Sequence, residues 1–496
     1  MCIRDRTTIY TYDAQGRMLT RTGPDGAVTT YAQSDPGPTS ITQSVTASPL
    51  VTRATSIQYF STADARKGKV ETITDPRGKV TTMAYNTTTG DLTAVTDPLG
   101  HSTSFGYDEA PSPAGRGYRT SVTDALGHVT KTVYEGRGRV KKVINHDLTF
   151  TEFGYDTAGR RSTVTDPMGR VTRYIYDRWG RLDTVVDPMN QSTRYSYDLM
   201  GNLLTLTDAK LQTTTFEYDG HNRVQKTIYP GGAFETFTYD TRGRLTTMID
   251  RKNITTTYTY DDLGRLTGKA FSNDPTNTPA FSYTYDVAGR MLTAANGTDT
   301  LTWAYNLAGE LLSEQSVKNA STVAYQYDAG GNRIAVKLDG TVFVTYAYDD
   351  ASRLTTITRG ANVFGFGYDN ANRRTTMTYP NSVTTTYGYD DLNRLTTLAA
   401  THTPTSTPIT HFGYQYDAAG NRTQKSTLDF TEDYSYDARY RLTRSERTPS
   451  AAVIASGGPL AVPRSNLWTY DAVGNRLSNQ DNESVTTSTH NEKNQL

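Results

Sequence analysis

Tyr176-Asp177-Arg178-Trp179-Gly180-Arg181-Leu182 is the stretch that decides how this chain is read. The pattern Tyr-Asp-x-x-Gly-Arg-Leu returns at Tyr239 to Leu245 and at Tyr260 to Leu266. Between them and upstream, lead tyrosines stand at 134, 155, 176, 197, 218, 239 and 260, six successive gaps of 21 residues. Further copies lead with Tyr12, Tyr85, Tyr107, Tyr285, Tyr305, Tyr327, Tyr348, Tyr368, Tyr389, Tyr416, Tyr436 and Tyr470, which makes 19, with wider spacing where residues are inserted. Length alone, 496 residues, suggests about three domains of roughly 150 residues; a sustained period replaces that expectation with a repeat architecture.

Two residues before each lead tyrosine stands Tyr ten times (Tyr174, Tyr195, Tyr258 and Tyr346 among them), Phe five times (Phe153 and Phe216 among them) and Trp at Trp303 and Trp468; only Met83 and Thr132 depart. Residues i and i+2 of a strand share a face, so each repeat sets two aromatics on one side of a sheet. These two slots take 29 of the 35 tyrosines, which makes Tyr a component of the repeat. Ser192 to Tyr197 reads as a β-branched and aromatic strand, Asp198 to Asn202 as a turn and Leu203 to Thr207 as the return strand. The Gly of Asp-x-x-Gly falls where a hairpin turn needs a left-handed residue. Asn222, Asn372 and Asn393 replace it with the residue that best tolerates that conformation, and Ser352 fits less well. Asp-Pro pairs at 75, 97, 166 and 187 mark a turn at the opposite end of the repeat.

The predicted fold class is therefore all-β: repeated antiparallel hairpins of about 21 residues in a spiralling sheet that forms part of a hollow shell. Nineteen hairpins give about 38 strands, and at ~4.8 Å per strand the sheet is roughly 180 Å wide. Closed in one turn it would be of order 60 Å across, far beyond what side chains can fill. A β-propeller is the alternative, since two repeats approach the length of a four-stranded blade, but consecutive Asp-Pro turns at 166 and 187 argue against alternating repeats. Residues 1–6 read as a non-native leader, 7–60 as divergent repeats with a loop, and 61–496 as the repeat segment, incomplete at its C-terminus. Residues 32–56, 270–279, 399–410 and 449–463 lack the motif and are expected to project as loops. Both ends fall inside a repeat, at Tyr12-Asp13 and from His490 to Leu496, so a fragment with unpaired, aggregation-prone edges is expected.

Composition excludes several functions. The balance of 51 basic and 51 acidic side chains lacks the basic footprint of a nucleic-acid binder. The longest apolar run, 451–462, is too short to span a bilayer and is interrupted by Gly457, Gly458 and Pro459. Cys2 is the single cysteine, which rules out an intrachain disulfide and a cysteine-built metal site.

No catalytic, cofactor-binding or metal-ligating residue is expected. One Asp per 21 residues, each followed by Arg four positions on, is unlike a calcium loop, which gathers several oxygens in one segment; a turn-capping Asp near that Arg is the better reading. His101, His128, His146, His221, His402, His411 and His490 show no metal-ligand spacing. Asp261 and Asp262 are adjacent in a turn, not opposed across a cleft, and the sequons at Asn86 and Asn253 are expected by chance in a Thr-rich chain. The aromatic ladder could stack on sugars, but packing against cross-strand neighbours accounts for it better.

The motif and its spacing resemble the YD repeat of bacterial Rhs (rearrangement hotspot) proteins, found also in toxin-complex shell subunits and in teneurins. The resemblance implies a β-strand spiral closing into a hollow shell. In bacteria that shell encloses a C-terminal toxin or cargo domain of the same polypeptide; in teneurins it belongs to an adhesion receptor. It also implies a secreted or cell-surface location, with secretion-system or surface partners. A carbohydrate- or protein-binding adhesion module is the alternative. The Asp-Pro pairs lie mid-repeat, so no self-cleaving role is expected of them, and neither the core-associated cleavage segment nor the toxic domain appears.

Overall fold

The computed structural model describes residues 8–47, 50–108, 117–482 and 484–490; Met1 to Arg6, with Cys2, and Asn491 to Leu496 lie outside the described residues. Each period becomes a hairpin. The strands Ser192–Tyr197 and Leu203–Thr207 have the predicted bounds and pair Arg194 with Thr207, Tyr195 with Leu206 and Ser196 with Thr205. The register then slips beside Tyr197, where Gly201 takes φ 92°. Such a bulge carries the chain through the turn with the strand's own twist. The return turn at 187–191 closes in the same way, Asp187 N donating to Gln191 O at 3.0 Å with Asn190 at φ 62°.

Among the described residues there are 43 strands, against the 38 expected, and helix is confined to Ala451–Ser456 and the 3-10 turn Pro459–Ala461. From Val129–Tyr134 to Leu245–Ile249 every strand pairs antiparallel with the next. The run from Thr255–Tyr260 to Arg374–Thr378 is equally unbroken. Propeller blades would interrupt the pairing every four strands, so the alternative fold fails on this point.

Two of the expected loops are something else. Within 32–56 the chain forms the ten-residue strands Pro38–Ala47 and Leu50–Tyr59, paired with each other. Residues 399–410 extend the hairpin of Leu395–His402 and Thr407–Tyr416. Their Ser, Thr and Pro content suggested irregular chain, but alternating β-branched residues outweigh it once a partner strand is present. Residues 273–280 do form a loop after Leu266–Ser272.

Contacts group the chain into two compact units, each made of an early and a late stretch. Unit 1 takes 1–107, 122–127 and 255–381; unit 2 takes 108–121, 128–254 and 382–496. Along a strand the faces alternate: Tyr174 and Tyr176 are half-buried while Arg173 and Ile175 are exposed. Buried apolar residues are few and small, Val45, Ala335 and Ala400, and no described side chain is completely buried. A sheet with so little core must be held by contacts made within and between its repeats.

Candidate functional site

Those contacts start at the motif aspartate. In the repeat led by Tyr176, Asp177 Oδ1 accepts from the backbone N–H of Trp179 and Arg181, both at 2.9 Å, while Oδ2 accepts from Arg181 Nε at 2.7 Å. The carboxylate thus satisfies two turn donors and fixes the guanidinium. Arg181 then reaches the next repeat: Nη1 donates to the Asp198 carbonyl at 2.6 Å and Cζ lies 4.7 Å from the Tyr197 ring centre. The Tyr197 phenol closes the link by donating to the Leu182 carbonyl at 2.9 Å. Arg223 repeats the set with Asp219, the Asp240 carbonyl and the Tyr239 ring. Arg441 does so with Asp437, the Asp471 carbonyl and the Tyr470 ring, although residues 449–463 intervene. This insertion enters at the opposite end of the hairpin and leaves the ladder intact. The Arg223 hydrogen bond, against a smaller desolvation penalty, holds the Asp219 carboxyl well below the usual carboxylate range, at about 2.

A second set of contacts joins residues 252 to 275 positions apart, always inside one unit. In unit 1, Arg53 grips Glu310 through two bonds of 2.6 and 3.1 Å and donates to the Asp328 carbonyl at 2.8 Å. Arg290 meets Asp25 at 3.1 Å, Lys79 meets Asp350 at 2.6 Å, and Leu307 N donates to the Val45 carbonyl at 2.9 Å. In unit 2, Arg439 meets Asp187 at 3.0 Å, Lys210 meets Asp471 at 3.2 Å, and His128 lies 3.7 Å from Asp391. Apart from Val45 and Arg53, which lie within the strands Pro38–Ala47 and Leu50–Tyr59, each contact sets the end of an early hairpin opposite the motif turns against a motif turn of the later stretch. The result is a seam of ion pairs and backbone hydrogen bonds along which the strand path meets itself.

The predicted turn aspartates fall as expected. Asp75, Asp97, Asp166 and Asp187 each accept from two turn N–H groups, the pattern of Asp177, which supports their reading as turns. Asp261 pairs with its own Arg265 at 2.7 Å, and Asp262 is exposed. His101 sits 3.1 Å from Asp97, His146 Nδ1 accepts from Val129 N at 3.0 Å, and His402 contacts Thr405 at 2.9 Å. His221 is exposed in its turn. Among the described residues no cluster of three His, Cys, Asp or Glu could hold a metal. The aromatics pack under guanidinium groups more than on one another, as Arg161 does over Phe153 at 4.5 Å and Arg422 over Tyr414 at 4.3 Å. Two open grooves lie on the sheet, about 460 Å³ beside Asp108 and 131–136 and about 250 Å³ beside Trp303 and Glu314.

Sequence reasoning missed the seam, and Tyr440 with it. Tyr440 occupies the Gly slot at φ 63°, a strained place for a bulky residue. Its hydroxyl donates to Asp166 and Arg170 lies 4.3 Å from its ring centre. A tyrosine in a left-handed turn position was the available signal of a demand beyond the turn itself.

Fold and ladder together define an all-β hairpin-repeat protein. The Teneurin YD-shell family matches residues 170–294, 234–343 and 293–402, and the RHS Repeat family matches 4–28 and 85–110. Over these stretches the chain resembles the Teneurin YD-shell and RHS Repeat families. No curated protein matches it by sequence. Among solved structures it is similar to TcdB2-TccC3 without its hypervariable C-terminal region, at TM-score 0.68 and 14% identity over 98% of this chain and 34% of that one. It is also similar to the Photorhabdus luminescens Tc holotoxin pore, at TM-score 0.63 and 16% identity over 96% of this chain and 27% of that one. At such identities the likeness establishes the shared fold, and this chain spans about a third or less of the structures it matches.

Proposed function

We propose that residues 61–496 are a wall segment of an Rhs-type shell that encloses a toxin or cargo domain of the same polypeptide, in a secreted or surface-delivered bacterial protein. The observation that carries this reading is the seam in a sheet that has almost no core. A strand path that meets itself after about 12 repeats, at ~4.8 Å per strand, runs roughly 120 Å per return, too far for side chains to fill the space it rounds. Polar ladders and ion pairs suit a wall whose two faces both meet polar surroundings. No enzymatic role is proposed for the repeats. Electron microscopy of the complete protein tests the proposal: a lumen holding density protected from added protease is expected, and a solid rod contradicts it. The groove beside Trp303 and Glu314 favours, more weakly, an adhesion role toward carbohydrate, since an indole beside a carboxylate suits a sugar ring. A glycan array in which the folded chain binds nothing removes that second reading.

A further inference from the structure

The strands Thr300–Tyr305, Leu311–Ser316 and Ser321–Tyr327 of unit 1 lie side by side and carry one departure from the repeat on the aromatic face of the sheet. Opposite the aromatic two places before the lead tyrosine, several repeats set an aliphatic side chain: Val185 faces Tyr174, Leu206 faces Tyr195 and Ile357 faces Tyr346. Here Glu314 faces Trp303, with Val323 on its other side. Glu314 is half-buried, and the Tyr325 hydroxyl donates to its Oε1. Burial, and after it this bond, pushes the Tyr325 phenol up to about 12, so it stays a donor at neutral pH. No described cation pairs with Glu314. Arg333 is engaged elsewhere, its Cζ 5.4 Å from the ring centres of both Tyr325 and Tyr346. A partly desolvated carboxylate with one hydrogen bond, standing where an aliphatic group would pack, weakens the sheet and marks a place shaped by a ligand.

The groove at this place has about 250 Å³, small for a ligand pocket and suited to a single ring. Leu301, Trp303 and Val323 give it an apolar side, Glu314 and Ser321 a polar one. Among the described residues the Trp303 indole N–H and Glu314 Oε2 have no hydrogen-bond partner. The surrounding stretch 286–350 carries eight acidic side chains against four basic; Arg53 and Lys79 offset two of the acids across the seam, and the excess remains. We propose that this groove binds an amino sugar, a hexosamine whose amine is free and charged, with its ring on Trp303 and its ammonium on Glu314. Such binding rests on the adhesion reading of this groove and narrows its carbohydrate to one class. The negative face of an indole meets the C–H side of a pyranose, and an open carboxylate oxygen accepts a charge-assisted hydrogen bond from an ammonium. A neutral hexose leaves the Glu314 charge without a counter-charge, and an acidic one is repelled by it.

Calorimetric titration of the full chain at mildly acidic pH, with a glucosamine trisaccharide and with its N-acetylated counterpart, tests this, since the two ligands differ only at nitrogen. The glucosamine trisaccharide is expected to bind once per chain, and the acetylated one at least about tenfold more weakly. Glu314→Gln keeps an acceptor for Tyr325 and is expected to weaken the glucosamine trisaccharide by about the same factor, with an unchanged circular dichroism spectrum. Trp303→Leu is expected to abolish its binding. Equal binding of the two trisaccharides, or tighter binding of the acetylated one, overturns the proposal and leaves the carbohydrate reading standing. Binding of neither overturns it too, and the glycan array then decides the carbohydrate reading by itself. Binding that Glu314→Gln leaves intact also overturns it, as does equal competition by lysine amide, which carries the ammonium without the ring.

Discussion

The turns 198–202 and 437–441 share one backbone plan and differ in what they meet. Asp198 accepts from Met200 N at 2.9 Å and Asn202 N at 2.8 Å; Asp437 accepts from Arg439 N at 2.8 Å and Arg441 N at 3.0 Å. In the first, the variable pair is Leu199 and Met200, standing in solvent; in the second it is Ala438 and Arg439, half-buried with Arg439 on Asp187. The motif residues build both turns, and the two differ in what lies against their variable positions. Half-buried variable positions include the small residues Ala308, Ala351, Ala419 and Ala472, while the exposed ones include Arg137, Trp179, Met200 and His221.

Removing a seam cation should give the largest effect. Arg53→Ala leaves the half-buried Glu310 carboxylate without its two-pronged partner and is expected to cost about 2 to 3 kcal/mol in denaturant unfolding. Arg178→Ala on an exposed turn is expected to fall within about 0.5 kcal/mol of wild type. Equal losses at the two sites would erase the distinction between seam and exposed turn.

Steric substitution sharpens the same contrast. A Cβ at Gly330 would lie 2.7 Å from Arg77 Nε and 2.9 Å from its Cδ, whereas one at Gly220 meets nothing within 4 Å. Gly330→Phe displaces Arg77 from the Asp349 and Asp350 carbonyls and is expected to destabilise by about 1 to 3 kcal/mol; Gly220→Phe should be near neutral, about 0.5 kcal/mol or less. Paired thermal melts read both.

The repeat ladder should ignore this difference. Tyr197 and Tyr470 make the same bond, to the Leu182 carbonyl at 2.9 Å and the Leu442 carbonyl at 2.7 Å. Tyr197→Phe and Tyr470→Phe are each expected to lose about 1 kcal/mol by denaturant melts. A much larger loss at 470 would mean that the ladder and the seam are coupled.

The smallest effect per residue is that of pH. The folded Asp219 carboxyl titrates at about 2 against an ordinary value of 3.8. Because the folded value is depressed, its stabilisation is fully present above the ordinary value and is lost as pH falls from there toward the folded one. Melting temperature is expected to be nearly flat above about pH 5 and to drop from about pH 4 to pH 2, with a shallower drop in Asp219→Asn.

Much of this wall was readable in the residues. Period, hairpin bounds and the left-handed Gly slot all follow from local chemistry, and Ser192 to Tyr197 and Leu203 to Thr207 were predicted to the residue. The turn role of the aspartates was also local, since Oδ1 of each lies within reach of its own turn N–H donors. What could not be read was anything depending on where the chain returns. Residues 32–56 and 399–410 read as loops because their Ser, Thr and Pro content masks the alternation that a partner strand uses. The pairing of Arg53 with Glu310 depends on the curvature of some 12 intervening repeats, which no single repeat encodes. Tyr440 and the row of small residues in the covered turns were visible as letters, but they acquire meaning only from the surface laid against them.

The seam itself is the central claim, and zero-length carbodiimide coupling tests it most directly. Lys79 Nζ lies 2.6 Å from Asp350 Oδ1 and Lys210 Nζ 3.2 Å from Asp471 Oδ2. With isotope-labelled and unlabelled chains mixed so that links within one chain can be recognised by mass, peptides joining Lys79 to Asp350 and Lys210 to Asp471 within a single chain are expected. Links confined to neighbouring repeats, with both of these absent, would contradict a strand path that meets itself.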